Sequence, residues 1–329
     1  MTIVAGGKYS VFFGDVAEDE YYCAPFFPAA GDKIIVKAMP PQYGGMVANA
    51  ASIFAHYGMK TSFISQLNSG PLTQKLLGQL RAAGLNTDHV IFDETVPDSK
   101  CIILISGDQH IVIIPKLGIT RTEITRAMFE HMAGAEFLFT SLTDARPFRM
   151  GELGAPQVLA ALRRRGVKIV MDVDVYNLEN HPSGLIEYCD ILFMNALGKR
   201  RFTDAGNDIE GLLAAGAIAI VVTKDSEGCD LHTVEGVRSI PGYEVEVVDV
   251  TGAGDTFSSS FLYAYSQSGD AVAAAEFANA AAALSVAKVG ARGGMTSDKS
   301  VRTFMHDHAS RVTAHNSDQK TREVDHVAE

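Results

Sequence analysis

The segment Asp249-Val250-Thr251-Gly252-Ala253-Gly254-Asp255 connects an apolar run to a helical pattern, with Asp255 just inside the expected helix start. First-turn N–H groups lack intrahelical partners and attract anions, and glycines let a ligand approach the backbone closely. An aspartate beside such amides can accept the proton of an attacking hydroxyl during phosphoryl transfer. We therefore interpret Gly252, Ala253 and Gly254 as an anion hole and Asp255 as a general base. This segment alone is equally compatible with Asp255 as a simple helix cap.

Two other nucleotide-binding motifs do not match this segment. A dinucleotide fingerprint needs a third glycine where this chain has Phe257, and it belongs near the first strand of a fold. A Walker A loop needs lysine after its last glycine, where this chain has Asp255. Both interpretations are therefore set aside.

Polar residues near the N-terminus form a second group. Gly44 and Gly45 open a helical pattern, and Asn49 follows one turn later. The first apolar run ends in a loop that carries Asp15 and Asp19. Carboxylate and amide groups can bind vicinal sugar hydroxyls, so we expect this group to hold a small polar substrate.

The elements that must position these residues alternate between strand and helix. Helical patterns cover 44–58, 71–84 and 154–166, each ending at a glycine. Short, continuous apolar runs are typical of strands buried on both faces. We expect such strands at 136–140, 167–173, 190–195, 217–223 and 245–250. This alternation predicts an α/β fold with a mostly parallel central sheet.

Two insertions interrupt the alternation. Residues 21–43 and 98–118 contain short strand patterns without a helix, and the second indicates a hairpin around 106–108. We expect them to form a small β-sheet lid, with an antiparallel edge extension as the alternative. The polar segment 315–329 lacks apolar periodicity and is expected to be a disordered tail after a domain spanning 1–314.

Composition excludes several classes of function. The 329 residues include 28 Lys and Arg against 39 Asp and Glu, a net charge of −11, which disfavours nucleic-acid binding. The four cysteines include no C-x-x-C pair, so a zinc site or disulfide framework is not expected. No run reaches the ~18 apolar residues of a membrane span, and the N-terminus lacks a signal-peptide pattern. We expect a soluble, cytoplasmic protein without a membrane partner.

With these motifs in order, the sequence resembles the ribokinase-like PfkB carbohydrate kinase family over about residues 10–310. The resemblance rests on G-D-x-x-x-D from Gly14, G-G-x-x-x-N from Gly44, and D-x-T-G-A-G-D-T-F from Asp249. It implies a three-layer α/β/α fold with a β lid, an ATP-dependent sugar kinase, and a homodimer formed through the lid. It also implies ATP and Mg²⁺ as cofactors, with K⁺ in many members.

The resemblance assigns roles to individual residues. The catalytic group would be Asp255 with Gly252, Ala253 and Gly254. The sugar-binding group would be Asp19, Gly44, Gly45 and Asn49. The ATP-binding group would be Asn195, Thr223, Gly228 and Asn279. The monovalent-cation group would be Asp249 with the backbone around Ser285, Lys288 and Gly290.

The sequence departs from the family pattern at two positions. Gly198 replaces the glutamate of the N-x-x-E motif that organises Mg²⁺, so Mg²⁺ would be held by the ATP phosphates or by Asp172 or Asp174. Asp225 replaces a usual glycine beside the ATP phosphates and must point away from them. These departures keep a non-catalytic nucleotide- or sugar-binding regulator among the alternatives.

The acceptor substrate is the least determined feature. We expect a hydroxyl of a pentose or ketohexose, most simply a primary one. Arg146 follows a strand and could bind an acidic group, which favours a sulfo- or phospho-ketose as an alternative, although it could equally be a solvated surface residue. Aromatic residues in the lid keep a nucleoside or vitamin kinase open. Arg292 is expected near the nucleotide end.

Overall fold

The structure is a computed structural model that describes residues 9–107, 109–173 and 184–308. The helices in these residues are α1 (Met46–His56), α2 (Pro71–Ala82), α3 (Arg126–Ala133), α4 (Leu142–Ala145), α5 (Ala155–Arg164), α6 (Ala196–Asp204), α7 (Ile209–Ala214), α8 (Ala253–Ser268) and α9 (Ala271–Ser285). Residues 298–308 are also helical. Short 3₁₀ turns lie at Ile186–Tyr188 and Asp225–Glu227.

The strands in the same residues are β1 (Ser10–Phe13), β2 (Ala17–Cys23), β3 (Lys37–Ala38), β4 (Gln42–Gly44), β5 (Thr61–Ile64), β6 (Gln66–Leu67), β7 (Ile91–Phe92), β8 (Lys100–Ser106), β9 (Gln109–Ile113), β10 (Thr122–Glu123), β11 (Phe137–Thr140), β12 (Phe148–Met150), β13 (Leu153–Gly154), β14 (Lys168–Asp172), β15 (Ile191–Asn195), β16 (Ala219–Thr223), β17 (Cys229–Thr233) and β18 (Gly236–Ile240).

The central sheet has the strand order β18-β17-β16-β15-β14-β11-β1-β5. Six neighbouring strands of this sheet run parallel: β5, β1, β11, β14, β15 and β16. Strands β17 and β18 add an antiparallel edge. Polar groups after the parallel strands therefore gather at one edge of the sheet, where ligands of open α/β sheets bind. The predicted mostly parallel sheet is confirmed.

Helices cover both faces of this sheet, which gives the predicted three layers. Strand β1 shows the alternation: Phe12 packs into the core with α1, α2, α8 and α9, while Val11 and Phe13 pack into the core with α3 and α5. All three side chains are buried because both faces of the sheet are covered. Helices α1, α2 and α5 are each followed by a glycine at positive φ, as their sequence pattern predicts.

A second, five-stranded sheet arises from the two predicted insertions. Its order is β3-β2-β8-β9, with β4 also paired to β2. Strands β8 and β9 form the predicted antiparallel hairpin, in the register Ser106 to Gln109. Strand β2 begins at Ala17, four residues before the predicted insertion, so the sheet starts directly after the loop that carries Asp15.

One predicted strand is absent from the described structure. Residues 245–250 lie outside any strand, and Val247, Val248 and Val250 are more than half exposed. The N–H groups of Val248 and Asp249 donate to the carbonyl of Val286 rather than to a neighbouring strand. An apolar run thus occurs here in a segment without a strand partner among the described residues.

Other expectations fall partly outside the described residues. Residues 309–329, which include the predicted tail, and Asp174 lie outside them. All four cysteines are free thiols, as expected. Among the described residues, no helix is long and apolar enough to cross a membrane.

Candidate active site

The substrate-binding group predicted near the N-terminus comes together where β2 pairs with β4. In this antiparallel pair Ala17 lies opposite Gly44, and the carboxylate of Asp19 occupies the space where a Cβ of Gly44 would lie. Gly45 has a φ of 95°, and its Cβ would come within 2.7 Å of the Val16 Cα. Both glycines are therefore required by the close approach of the β4–α1 turn to β2.

Asn49 and Asp255 meet between α1 and α8. The Nδ2–H of Asn49 donates to Oδ2 of Asp255 at 2.8 Å. Two further hydrogen bonds fix the helices against each other: Ser259 Oγ–H donates to the Ala50 carbonyl (2.6 Å), and the Tyr57 hydroxyl bonds to Ser260 Oγ (2.8 Å). The predicted base is thus held by a residue of the predicted sugar-binding group.

The predicted anion hole lies at the start of α8. Gly252 is the N-cap residue with a φ of 76°, and its Cβ would lie 2.6 Å from the Cα of Ala291. The Ala253 N–H donates to the Val250 carbonyl at 3.1 Å, so it is already engaged in the turn. The amide of Gly254 belongs to the first helical turn, where N–H groups lack intrahelical acceptors. Glycine is required at 252 both by its conformation and by the packed loop at 291.

Two of the predicted ATP-binding residues end neighbouring parallel strands. Asn195 and Thr223 are paired in register at the ends of β15 and β16. The Asn195 side chain caps α6 by accepting the Gly198 N–H at 2.7 Å. A Cβ at 198 would lie 3.2 Å from the Val173 carbonyl oxygen and 3.3 Å from Asn195 Oδ1. A side chain at 198 would therefore make tight contacts with the turn.

Gly228 and Asn279, the other two predicted ATP-binding residues, both pack against segment 240–242. Gly228 has a φ of 94°, and its Cβ would lie 2.6 Å from the Pro241 carbonyl carbon. Asn279 is buried, and its Nδ2 donates to the carbonyls of Ile240 and Pro241, both at 3.3 Å. The structure therefore gives Asn279 a role in shaping this segment beside Gly228.

The residues predicted to hold a monovalent cation lie around Asp249. Its Oδ1 accepts the Thr251 N–H at 2.9 Å and its Oδ2 accepts the Gly290 N–H at 2.7 Å. The Ser285 carbonyl accepts the Lys288 N–H at 3.2 Å. Burial acts to raise the pKa of Asp249, but the hydrogen bonds from Thr251 and Gly290 outweigh it and lower that pKa. Asp249 therefore connects the segment before α8 to the loop after α9.

Asp225, which was expected to point away from the ATP phosphates, lies in an exposed 3₁₀ turn. Among the described residues, it is the only one other than glycine that has a positive φ, at 51°. The residue is exposed to solvent. The backbone conformation explains why a glycine would suit this position.

Asp15, Asp19 and Asp144 form a cluster of carboxyl groups, of which the sequence analysis identified Asp15 and Asp19 but not Asp144. Asp15 accepts the N–H groups of Met46 (3.0 Å) and Val47 (2.9 Å) at the start of α1. Burial and then the charge of Asp15 raise the pKa of Asp144 to about 7, against a hydrogen bond from Ser141. Burial also raises the pKa of Asp19 to about 6. Asp144 follows β11, and that position at the sheet edge is the signal that could have identified it.

Arg292 was expected near the nucleotide end. Its Nε–H donates to Oδ1 of Asn49 at 2.9 Å, so it contacts the predicted sugar-binding group. Arg146, the other predicted arginine, follows α4 and its carbonyl accepts a hydrogen bond from Arg149.

The sequence and the fold were compared with those of known proteins. Residues 8–298 match the pfkB family carbohydrate kinase. The chain is 25% identical to an ATP-dependent ribose-1-phosphate kinase of Halopiger xanaduensis over 82% of this chain and 89% of that protein. It is 24% identical to a ribokinase of Haemophilus influenzae over 92% of this chain and 99% of that protein. Its fold is similar to that of Arabidopsis thaliana ribokinase complexed with ribose and ATP, with a TM-score of 0.73, 24% identity, and coverage of 91% and 98%.

Proposed function

This chain belongs to the pfkB family of carbohydrate kinases, phosphotransferases that act on hydroxyl groups, and from that premise we propose that it phosphorylates a hydroxyl of a neutral pentose or ketohexose. ATP is the phosphoryl donor, and the acceptor is most simply a primary hydroxyl. Asp255 is the general base in this proposal.

The observation that carries the proposal is the position of Asp255 in the first turn of α8, hydrogen-bonded to Asn49. The acceptor oxygen attacks the γ-phosphorus, the bond from that phosphorus to the bridging oxygen of ADP breaks, and the acceptor proton passes to Asp255. The first-turn amides of α8 stabilise charge on the transferred phosphoryl group. Asn49 keeps the carboxylate oriented toward the acceptor.

The charges around the acceptor favour a neutral sugar over an acidic ketose. The carboxyl groups of Asp15, Asp19 and Asp255 all interact with the single guanidinium of Arg292. Three carboxyl groups thus act on this one described guanidinium. A sulfonate or phosphate on the acceptor would be repelled, so the acidic-ketose alternative is less favoured.

We propose that Mg²⁺ arrives with ATP as part of the donor substrate. Among the described residues there is no group of three His, Cys, Asp or Glu side chains able to hold a metal ion. Asn195 and Thr223 face the same sheet edge, where they would contact the nucleotide. The ATP phosphates then supply the principal Mg²⁺ ligands.

A bound K⁺ remains part of the proposal. Each Asp249 oxygen accepts one N–H and retains a further lone pair for a cation beside Gly290. Such an ion would add positive charge next to the start of α8. The comparison of rates in K⁺, Na⁺ and tetramethylammonium buffers tests it; equal rates would remove K⁺ from the mechanism.

We also propose that the five-stranded sheet forms a homodimer interface. Strand β9 is exposed along its length, and Ile111, Val112, Ile113 and Ile114 are between 43% and 66% exposed. An exposed apolar edge strand is a template for pairing with another chain. Light scattering of the wild type and of Val112→Lys tests this: a dimer that the lysine dissociates supports it, and a wild-type monomer refutes it.

The deciding experiment for the acceptor is a phosphotransfer assay with MgATP. The panel should contain pentoses, ketohexoses, ribose 1-phosphate, a sulfo-ketose and nucleosides, with ADP release measured for each. A neutral sugar with the highest kcat/KM supports the proposal. A phosphorylated, sulfonated or nucleoside acceptor would overturn its substrate class, and tight ATP binding without any transfer would favour a regulator.

A further inference from the structure

Two hydrogen bonds in series connect Arg292 to Asp255 through Asn49. Arg292 Nε–H donates to Asn49 Oδ1 at 2.9 Å, and Asn49 Nδ2–H donates to Asp255 Oδ2 at 2.8 Å. The three residues come from the loop after α9, from α1 and from α8. Asn49 is buried, so its amide lies in an environment where each end needs a partner.

The chemistry of the two outer groups determines the orientation of the Asn49 amide. A guanidinium only donates hydrogen bonds, and an ionised carboxylate only accepts them. The amide oxygen must therefore face Arg292, and the amide nitrogen must face Asp255. Without Arg292, the Asp255 carboxylate would still favour the amide nitrogen, but the amide oxygen would lose its donor and the amide would be held at one end only.

Arg292 also interacts electrostatically with Asp255, Asp19 and Asp15. Burial lowers the pKa of its guanidinium, while the carboxylates of Asp255, Asp19 and Asp15 and the hydroxyl of Tyr43 act in the opposite direction. An arginine in such surroundings stays protonated. Its charge favours the ionised form of Asp255, which is the form that accepts a proton.

The loop that carries Arg292 is held firmly. The Gly290 N–H donates to Asp249, and the Gly293 N–H donates to the Gly290 carbonyl at 2.9 Å. A Cβ at Gly294 would lie 2.5 Å from the Ser285 Cα, so this part of the loop packs directly on the end of α9. The backbone that carries the guanidinium is therefore held in place by hydrogen bonds and packing. Its Nη2 is buried and has no hydrogen-bond partner among the described residues, so packing alone does not explain why an arginine is placed here.

We infer that Arg292 is a positioning residue of the phosphotransfer site, which fixes the Asn49 amide and thereby orients the Asp255 carboxylate and keeps it ionised. This inference rests on the proposed role of Asp255 as the base. Arg292 acts through Asn49 and through its charge rather than on the transferred group.

The kinetic test compares Arg292→Gln and Arg292→Lys with Arg121→Gln, which removes an exposed arginine paired with Glu123. Arg292→Gln should lower kcat about 10–100-fold and leave the KM for ATP within about twofold. It should also move the acidic limb of the kcat–pH profile about one unit to higher pH, since a lost positive charge raises a nearby carboxyl pKa. Arg292→Lys retains the charge, so its acidic limb should stay near that of the wild type while kcat is reduced. Arg121→Gln should match the wild type.

Two kinetic outcomes would overturn the inference. One is an Arg292→Gln enzyme with unchanged kcat and an unchanged pH profile. The other is a variant whose acceptor KM rises at constant kcat, because that would make Arg292 a substrate-binding group. Circular dichroism should first show that each variant is folded, and Arg292→Lys serves as the test if the glutamine variant is not.

A second readout does not depend on activity. Carbon-13 NMR of carboxyl-labelled aspartate follows the titration of Asp255, assigned by the loss of its signal in Asp255→Asn. The titration midpoint should rise in Arg292→Gln and not in Arg121→Gln. An unchanged midpoint overturns the inference even if the proposed function holds. A raised midpoint supports it even if no acceptor in the panel is phosphorylated, in which case only the proposed function fails.

Discussion

The side chains of Asn49 and Asp255 are joined by a 2.8 Å hydrogen bond although the residues are 206 positions apart in the chain. The bond connects the first long helix of the fold with the helix that carries the proposed base. It makes the orientation of the base a property of the α1–α8 contact rather than of α8 alone.

Replacement of Asp255 by asparagine should abolish most turnover. The amide keeps the shape of the side chain and cannot accept the acceptor proton, so kcat should fall about 10²–10⁴-fold. ATP affinity, measured by isothermal titration calorimetry, should be largely kept because the backbone amides remain. Asp307→Asn, an exposed position on the last described helix, is the matched control. Turnover near the wild-type rate would exclude Asp255 as the base.

Alanine substitutions at Gly252 and Gly254 should affect folding stability and catalysis differently. Gly252→Ala places a methyl group at a φ of 76° and against Ala291, so it should cost at least about 1 kcal/mol of folding free energy. Gly254→Ala meets nothing within 4 Å and lies in a helix, so it should stabilise by about 0.5–1 kcal/mol. If Gly254 approaches the phosphoryl group closely, its alanine variant should nevertheless lose kcat. Thermal unfolding and steady-state kinetics check both, and a fully active Gly254→Ala would show that the phosphoryl group does not approach the Gly254 Cα closely.

Asp225 should be replaceable by glycine with a gain in stability. Its φ of 51° costs an L-residue free energy that glycine avoids, and the greater entropy of glycine in the unfolded chain offsets part of the gain. We expect about 0.5 kcal/mol in favour of Asp225→Gly, and a loss for Asp225→Ala. Chemical denaturation at fixed pH measures both, and an alanine variant as stable as the glycine variant would contradict the backbone argument.

Stability should fall as the pH rises from about 4 to about 7. The pKa of Asp19 is raised to about 6 and that of Asp144 to about 7, so the folded state binds more protons than the unfolded state in this range. The free energy of unfolding then decreases with pH. Asp144→Asn should flatten this dependence and raise the melting temperature at pH 8 relative to the wild type. A wild-type melting temperature that rises between pH 5 and pH 8 would show that these carboxyl groups do not determine how stability depends on pH.

The sequence predicts much of this fold because its strongest patterns are local. Buried runs such as 190–195 and Gly-terminated helical patterns depend on neighbouring residues, and both occur in the structure as expected. The pattern at 245–250 is equally regular, yet the chain there has no strand partner among the described residues. Periodicity reports how a segment would pack and does not report whether a neighbouring strand is within reach.

A residue of the candidate site can be predicted from sequence where the backbone conformation of its own motif restricts the residue type. Gly252 and Gly45 were identified by type, and each has the positive φ that explains the choice of glycine. Arg292 has no such local signature, because its partner Asn49 is brought to it by the tertiary fold. Asn279 lies on the helix face that turns inward, and only the structure shows that its amide bonds to the carbonyls at 240 and 241.

The wide separation of the site residues along the chain has a consequence for biosynthesis. Arg292 and Asn49 are 243 positions apart, so the constellation around Asp255 cannot assemble until nearly the whole domain has left the ribosome. Contacts of such high contact order form late, after the loops between them have closed. Nascent chains and partly folded intermediates would therefore lack the assembled constellation. During refolding, the return of turnover would therefore mark the end of folding, whereas helix content can return earlier.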